Sequence, residues 1–213
     1  MIDYPKIEKI LGKADQNFRA EKIKPGSMEA VYRLRYRIFH DILKWIPSRN
    51  NNRDVDNHDI KAIHFGIFDS EKLVGCCRLI PSKECFMIER EFKGLVNNFF
   101  ISKYKNTAEV SRLAISNDLG FVRKFQVAMV LYRAMYRWSL KRGIRYWYLV
   151  TDFQYFKSLV KLFSCRRIGR IKYYQHDTPT IASLLDLKKS ENKIKDFPIL
   201  YNWFVLSKGK DLM

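Results

Sequence analysis

Four cysteines in 213 residues, none of them spaced C-x-x-C, offer little to a zinc ribbon or a disulfide framework. Cys76 and Cys77 are neighbours and cannot readily bridge to each other, so with Cys85 and Cys165 they are read as structural, and no metal is expected. Long apolar runs are missing as well: nothing approaches the roughly 18 residues of a membrane span, so no membrane insertion is expected. The first residues, MIDYPKIEKILGK, lack the apolar stretch and cleavage site of a secretory signal, which points to a cytoplasmic protein. Internal repeats and low-complexity segments are also absent.

Acidic residues are scarce. The 22 aspartates and glutamates face 40 lysines and arginines, a formal net charge of +18. Such a field attracts nucleic acid, anionic lipid or an acidic protein. No zinc-finger spacing, ribonucleoprotein motif or G-x-x-G clamp accompanies the basic stretches RAEKIK, KRGIRY and CRRIGRIK, so nucleic acid is not expected as a partner. A basic nucleic-acid-binding module stays the reading of a different class, and a solvated lysine-rich surface the plainest one.

What is present is 47% hydrophobic and 15% aromatic residues, enough for one folded domain over 1–213, with residues 1–17 expected to be a flexible N-terminal segment. NFRAEKIK alternates as a first strand. Pro25-Gly26 breaks the chain, and Ser27 is placed to cap a helix from Met28 to about Asp41. KAIHFGIFD and LVGCCRLIP, joined by SEK, read as an antiparallel hairpin, and TAEVSRLAIS as a further strand. The long apolar helix FVRKFQVAMVLYRAMYRWSLKRG closes at Gly143. A buried strand RYWYLVT, a helix YFKSLVKLFS, a strand RRIGRIKYY, a short helix after Pro179 and a last strand LYNWFVLS complete the chain. This order predicts an α/β (α+β) domain: a mixed sheet flanked by helices, compatible with a Gcn5-related acyltransferase-like fold.

Several charges stand where a strand or helix face calls for apolar residues. Arg78 lies within LVGCCRLIP, and an unpartnered buried arginine costs several kcal/mol, so a carboxylate should meet it. Glu109 and Arg112 lie in AEVSRLAI, three residues apart, and regular alternation would send them to opposite faces. A β-bulge between them would bring both to one site and splay this central strand from its neighbour. Asp54, Asp56 and Asp59 fall in a polar loop, where such residues also serve as turn formers and caps. Arg35 and Phe39 share one helical face. Together the arginines and carboxylates suggest a buried ion-pair network lining a pocket.

In sequence order, Arg35-x-x-x-Phe39, Trp45, Asp54-x-Asp56-x-x-Asp59, Gly75-x-x-Arg78-Leu-x-Pro81 and Glu109-x-Ser111-Arg112 resemble the acyl-homoserine-lactone synthases, the autoinducer synthase family. The match is good over about residues 30 to 116, with FMIEREFKGL similar to the family's short segment ahead of the Glu-x-Ser-Arg strand. Asp54 stands where the family usually has glutamate, and the interval before AEVSRLA is longer than usual. The resemblance implies transfer of a fatty acyl group from acyl carrier protein to the amine of S-adenosylmethionine, a substrate and not a cofactor, followed by lactone closure and release of methylthioadenosine. The related N-acyl amino acid synthases, acylating a free amino acid, are the alternative.

Within that resemblance Glu109 is the first candidate for the base and Asp54 the second. Backbone N–H groups at the bulge would stabilise the tetrahedral intermediate. Trp45 and Phe39 would cover the sulfonium, and Arg35 or Arg112, with Ser111, would hold the amine substrate. Asp56, Asp59 and Arg78 would fix these groups in place. Met129, Trp147 and Thr151 are expected beside the acyl chain, and Arg123, Lys124, Arg166 and Arg167 against the acidic carrier. NDLGFVRKF lacks the Gln/Arg-x-x-Gly-x-Gly/Ala loop with which generic acetyltransferases cradle coenzyme A, which argues against an ordinary acetyl-coenzyme A enzyme.

Overall fold

The hairpin written into residues 62–81 anchors the sheet. In the computed structural model, which describes residues 10–96, 101–174 and 177–207, strand β1 (Arg19–Lys22) pairs with β2 (Ile63–Asp69), and β2 turns through Ser70 (φ 53°) into β3 (Lys72–Pro81). β3 is buried along nearly its whole length, which explains why its residues are apolar apart from Arg78 and the terminal Lys72. Next in space come β4 (Thr107–Ile115), β5 (Tyr146–Asp152) and β8 (Thr178–Asp186), with β6 (Cys165–Arg167) and β7 (Lys172–Tyr174) both on β8. Only β4 and β5 run parallel; the other pairings are antiparallel, giving an eight-stranded mixed sheet.

Helices cover both faces. On one face the long helix α5 (Phe121–Leu140) lies over β2 to β4, so close that a Cβ on Gly75 would meet Val127 Cγ1 at 2.5 Å. The short helix α1 (Ala14–Asn17) packs against it, and α6 (Phe153–Leu162), α7 (Leu187–Ile194) and α8 (Pro198–Tyr201) complete this layer. On the other face α2 (Met28–Tyr36) covers Cys76 and Ala114, while α3 (Met87–Arg90) and α4 (Lys93–Val96) cover Ile80 and Tyr148. This is the mixed sheet flanked by helices that the element order predicts.

Four elements differ from expectation. The N-terminal helix does not stay α-helical to Asp41: it loosens into a π-helical turn, Arg37–Ile42, and Ser27 stands at its start without a side-chain cap bond. RRIGRIKYY is two strands, parted where Gly169 passes so close to the Leu95 carbonyl that no Cβ fits and the Arg170 N–H donates to that carbonyl. The segment after Pro179 is the strand β8, whose β-branched and apolar residues pair with all of β5. LYNWFVLS is helical, with Pro198 pre-set for the first turn of α8 and a π-helical turn at Asn202–Leu206. As for the N-terminal segment, Leu11 and Ala14 are core residues and the Asp15 carboxylate pairs with Arg133; residues 1–9 lie outside the described residues.

The sheet opens at its centre. β4 pairs with β5 only from Thr107 to Val110, opposite Tyr146 to Leu149. Beyond that β4 continues on β3 and β5 continues on β8, so the two parallel strands part like a fork. Cys76 and Arg78 of β3 face Ala114 and Ser111 of β4, so β4 holds one residue more between these pairs. The extra residue lies in Arg112–Leu113, and Arg112 adopts φ 55°.

Candidate active site

The loop after α2 brings its acids together by capping itself. Asp56 accepts the His58 N–H at the start of a 3-10 turn, Asn57–Lys61, and donates its own N–H to Asp59 Oδ2 at 2.9 Å. This fixes Asp54, Asp56 and Asp59 opposite three arginines from three different elements. Arg35, from α2, bonds Asp54 Oδ2 at 2.9 Å and Asp59 Oδ1 at 2.7 Å. Arg78, from β3, reaches Asp56 Oδ1 at 2.5 Å, Asp59 Oδ1 at 2.7 Å and Ser111 Oγ at 3.1 Å. Arg112, from the bulge, meets Asp54 Oδ2 at 2.9 Å and Asp56 Oδ2 at 3.2 Å.

Burial of Arg35, Arg78 and Asp54 is essentially complete, so every charge depends on another. Burial alone would push the Arg35 guanidinium down, but Asp54 and Asp59 hold it above its ordinary value. Burial would likewise raise Asp56, yet Arg78, then Arg112 and Arg35, bring it down to about 2. Arg112 is the exception, lowered by burial despite Asp54. His64, opposite Arg78 in the hairpin, is pushed down by burial and stays neutral near pH 7.

Glu109 stands apart from this network. Buried at 1% exposure, it accepts the Met87 N–H on Oε2 at 2.6 Å and the Ile88 N–H on Oε1 at 2.9 Å, at the start of α3. Burial pushes its carboxyl up to about 7, against the pull of those two amides and of Arg78. Glu109 and Ser111 point to the face that carries the network, and the bulge turns Arg112 to the same side.

Aromatic rings close the wall. In the π-helical turn the Phe39 carbonyl accepts the N–H groups of Trp45 and Ile46, and Lys44 adopts φ 58°, so the chain doubles back and lays Trp45 nearly parallel to Phe39, centroids 6.1 Å apart. The Arg112 guanidinium lies 5.4 Å from the Phe39 ring centre. A cavity of about 910 Å³ begins at Phe39, Trp45, Met87, Glu109, Ser111 and Arg112, passes through the fork, and continues on the other face between Trp147, Leu149, Thr151, Tyr132, Phe163, Leu185 and Phe204.

The expected residues therefore divide. Phe39, Trp45, Glu109, Ser111, Arg112, Trp147 and Thr151 line the cavity; behind it Asp54 and Asp56 hold Arg112, and Arg35, Arg78 and Asp59 fix those two in turn. Met129 is core, 1% exposed, because the cavity meets α5 at Tyr132 and Tyr136 instead. The four basic residues do not form one patch. Arg123 is tied to Asp69 and Lys124 to Asn117 near the β2 side, whereas Arg166 and Arg167 lie exposed on β6, at the opposite end of the sheet. The Met87 and Ile88 amides were not foreseeable as Glu109 partners, although the segment FMIER itself stands out in the sequence. Among the described residues no group of His, Cys, Asp and Glu is placed to hold a metal ion, and no helix is long and apolar enough to cross a membrane.

A family model described as autoinducer synthase matches residues 20–196. The acyl-homoserine-lactone synthase of Aliivibrio fischeri is 27% identical over 147 residues, 66% of this chain and 76% of that one. That of Vibrio anguillarum is 26% identical over 152 residues, covering 68% and 78%. In three dimensions the chain is similar to the AHL synthase LasI, with a TM-score of 0.73 at 19% identity over 90% of this chain and 97% of that one. It is also similar to BjaI with MTA, a CoA-dependent acyl-homoserine lactone synthase, at a TM-score of 0.72 and 19% identity over 85% and 89%. These two solved structures share the fold.

Proposed function

This chain belongs to the autoinducer synthase family and is an acyltransferase, and we propose that it moves a fatty acyl group from acyl carrier protein onto the amine of S-adenosylmethionine and closes the product to an acyl-homoserine lactone. The observation that carries this reading is Glu109: a buried carboxyl, raised to about 7, in the cavity at the fork of β4 and β5. A base poised near neutral pH is what an ammonium must meet before it can attack a thioester. Each Glu109 oxygen gives one lone pair to a backbone amide, which leaves the second to take the amine proton directly or through a water.

The amine nitrogen then bonds to the thioester carbonyl carbon, the C–S bond breaks, and the carrier's thiol leaves as the amide forms. Backbone N–H groups where β4 leaves β5 are suited to the oxyanion of that step. Lactone closure follows when the substrate's carboxylate attacks the carbon bonded to the sulfonium, and that C–S bond breaks to release methylthioadenosine. Positioning dominates this step. Arg112 holds the carboxylate, Ser111 lies beside it, and the Phe39–Trp45 pair covers the sulfonium. Asp54, locked between Arg35 and Arg112, serves as a positioning residue and leaves the base to Glu109.

Thr151 and Trp147 lie along the acyl chain. The net charge of +18 favours an acidic carrier. Arg167, exposed on β6 opposite Ser183 of β8, is its first contact. The experiment is to incubate the purified protein with S-adenosylmethionine and thioesters of acyl carrier protein or coenzyme A, and to look by mass spectrometry for methylthioadenosine and lactone together. Acylation of free amino acids in place of S-adenosylmethionine would move the chain to the N-acyl amino acid synthases.

A further inference from the structure

The far end of the cavity is largely apolar, with Ser190 and the Glu191 carboxylate among its exceptions. Below the fork the lining includes Trp147, Leu185, Phe163, Ile194 and Phe204, together with Tyr136 of α5 and Glu191 of α7, which meet each other there. Tyr136 is 3% exposed and its hydroxyl donates to Glu191 Oε2 at 3.1 Å. Lys188, more than half exposed, donates to Glu191 from the outside at 3.3 Å. Glu191 is thus bonded on one side by a group lining the cavity and on the other by a group in solvent.

We propose that the Tyr136–Glu191 pair is the stop that sets how long an acyl chain this enzyme accepts, a specificity role that rests on the synthase reading above. The argument is steric and chemical together. Leu149, at the fork, stands four residues from Arg145, whose carbonyl accepts the Leu187 N–H at the start of α7, so the arm runs beside about 13 Å of β5 before it meets the helix that carries Glu191. A chain that fills this depth gains with every methylene it buries. A longer chain must press its terminal methyl against the pair or push Glu191 aside, which strands a buried phenol hydroxyl. Neighbouring rings leave no sideways escape: Tyr136 packs on Phe204 and Tyr132 on Phe163, with centroids 5.1 and 5.7 Å apart.

The test uses fatty acyl pantetheines of graded length, with binding followed by tryptophan fluorescence, since Trp147 lines the arm, and products followed by mass spectrometry. In the unmodified protein affinity should climb about fourfold per methylene and then fall at one length. In Glu191→Ala the arm deepens by the lost side chain, and affinity for the chain two carbons past that length should rise about fifteenfold, the gain of two buried methylenes. Glu191→Gln keeps both the shape and an acceptor for Tyr136 and should keep the cut-off. Tyr136→Phe, which preserves the core ring, should move the cut-off in the same direction as Glu191→Ala and serves if the latter fails to fold. An identical cut-off in the unmodified protein, Glu191→Ala and Tyr136→Phe overturns the proposal, as does a Glu191→Gln shift equal to that of Glu191→Ala. Binding cut-offs that move while no lactone forms from any donor leave the stop standing and remove the synthase reading instead.

Discussion

Arg112 reaches Asp54 Oδ2 at 2.9 Å from a strand position that regular alternation would aim at the opposite face. The extra residue in β4 and the left-handed backbone at Arg112 (φ 55°) make the contact. The same Asp54 oxygen holds Arg35, so the bulge, the loop and α2 are fastened at one atom. Arg112→Lys keeps the charge but cannot span Asp54 and Asp56 as the planar fork does. We expect it to lower kcat/KM for S-adenosylmethionine about 10- to 100-fold, the value of one or two charge-assisted hydrogen bonds. Full activity in that variant would show that the two-carboxylate grip is dispensable.

Arg78 is a different matter, since it never reaches the cavity. Its removal leaves the buried Asp59 and the part-buried Asp56 with fewer partners. Arg78→Ala should cost about 3–5 kcal/mol and lower Tm by about 10 °C or more. Urea unfolding reads this directly, and an unchanged midpoint would mean that the pair contributes nothing to folding.

For Glu109 two pH effects run in opposite senses. As a base it must be ionised, so kcat/KM should rise with pH through about 7, and Glu109→Gln should lose both that limb and most turnover. Stability goes the other way. Its folded-state value lies above the ordinary 4.5, so the stability it contributes is complete below about pH 4.5 and is lost as pH rises through about 7. Between pH 5 and 8 the unmodified protein should therefore lose about 2.5 kcal/mol relative to Glu109→Gln. Parallel denaturation curves at the two pH values check it.

Trp45, only half-buried, contributes little to the core. Trp45→Ala should raise KM for S-adenosylmethionine about 5- to 30-fold, the range of a cation–π contact partly shielded from water, with Tm nearly unchanged. A larger effect on the acyl donor's KM would place the ring on the wrong substrate.

Much of this site was legible in the sequence because charge in an apolar strand is expensive. Arg78, Glu109 and Arg112 each demanded a partner, and the three-residue interval between the last two demanded a bulge, which the structure contains. The hairpin and the long helix were equally plain from their periodicity. Other features left no side-chain signal. Backbone amides hold Glu109, and every residue but proline has one. Met129 lies on a helix that is apolar on more than one side, where a 3.6-residue period does not say which face meets the cavity. The segment from Thr178 and the one from Pro198 exchange their expected states because each depends on its neighbours: β8 on the open edge of β5, and the C-terminal turn on Tyr136 and Phe163.

The sheet is also a partition. Everything that would recognise the amine stands on one face, and the arm that would hold the fat lies on the other, with only the fork between them. A lineage could therefore alter the tail of its signal by repacking Tyr132, Phe163 or Phe204 without touching an ion pair, and keep the lactone head that every listener must recognise. One scaffold of this kind can issue many dialects of a single message.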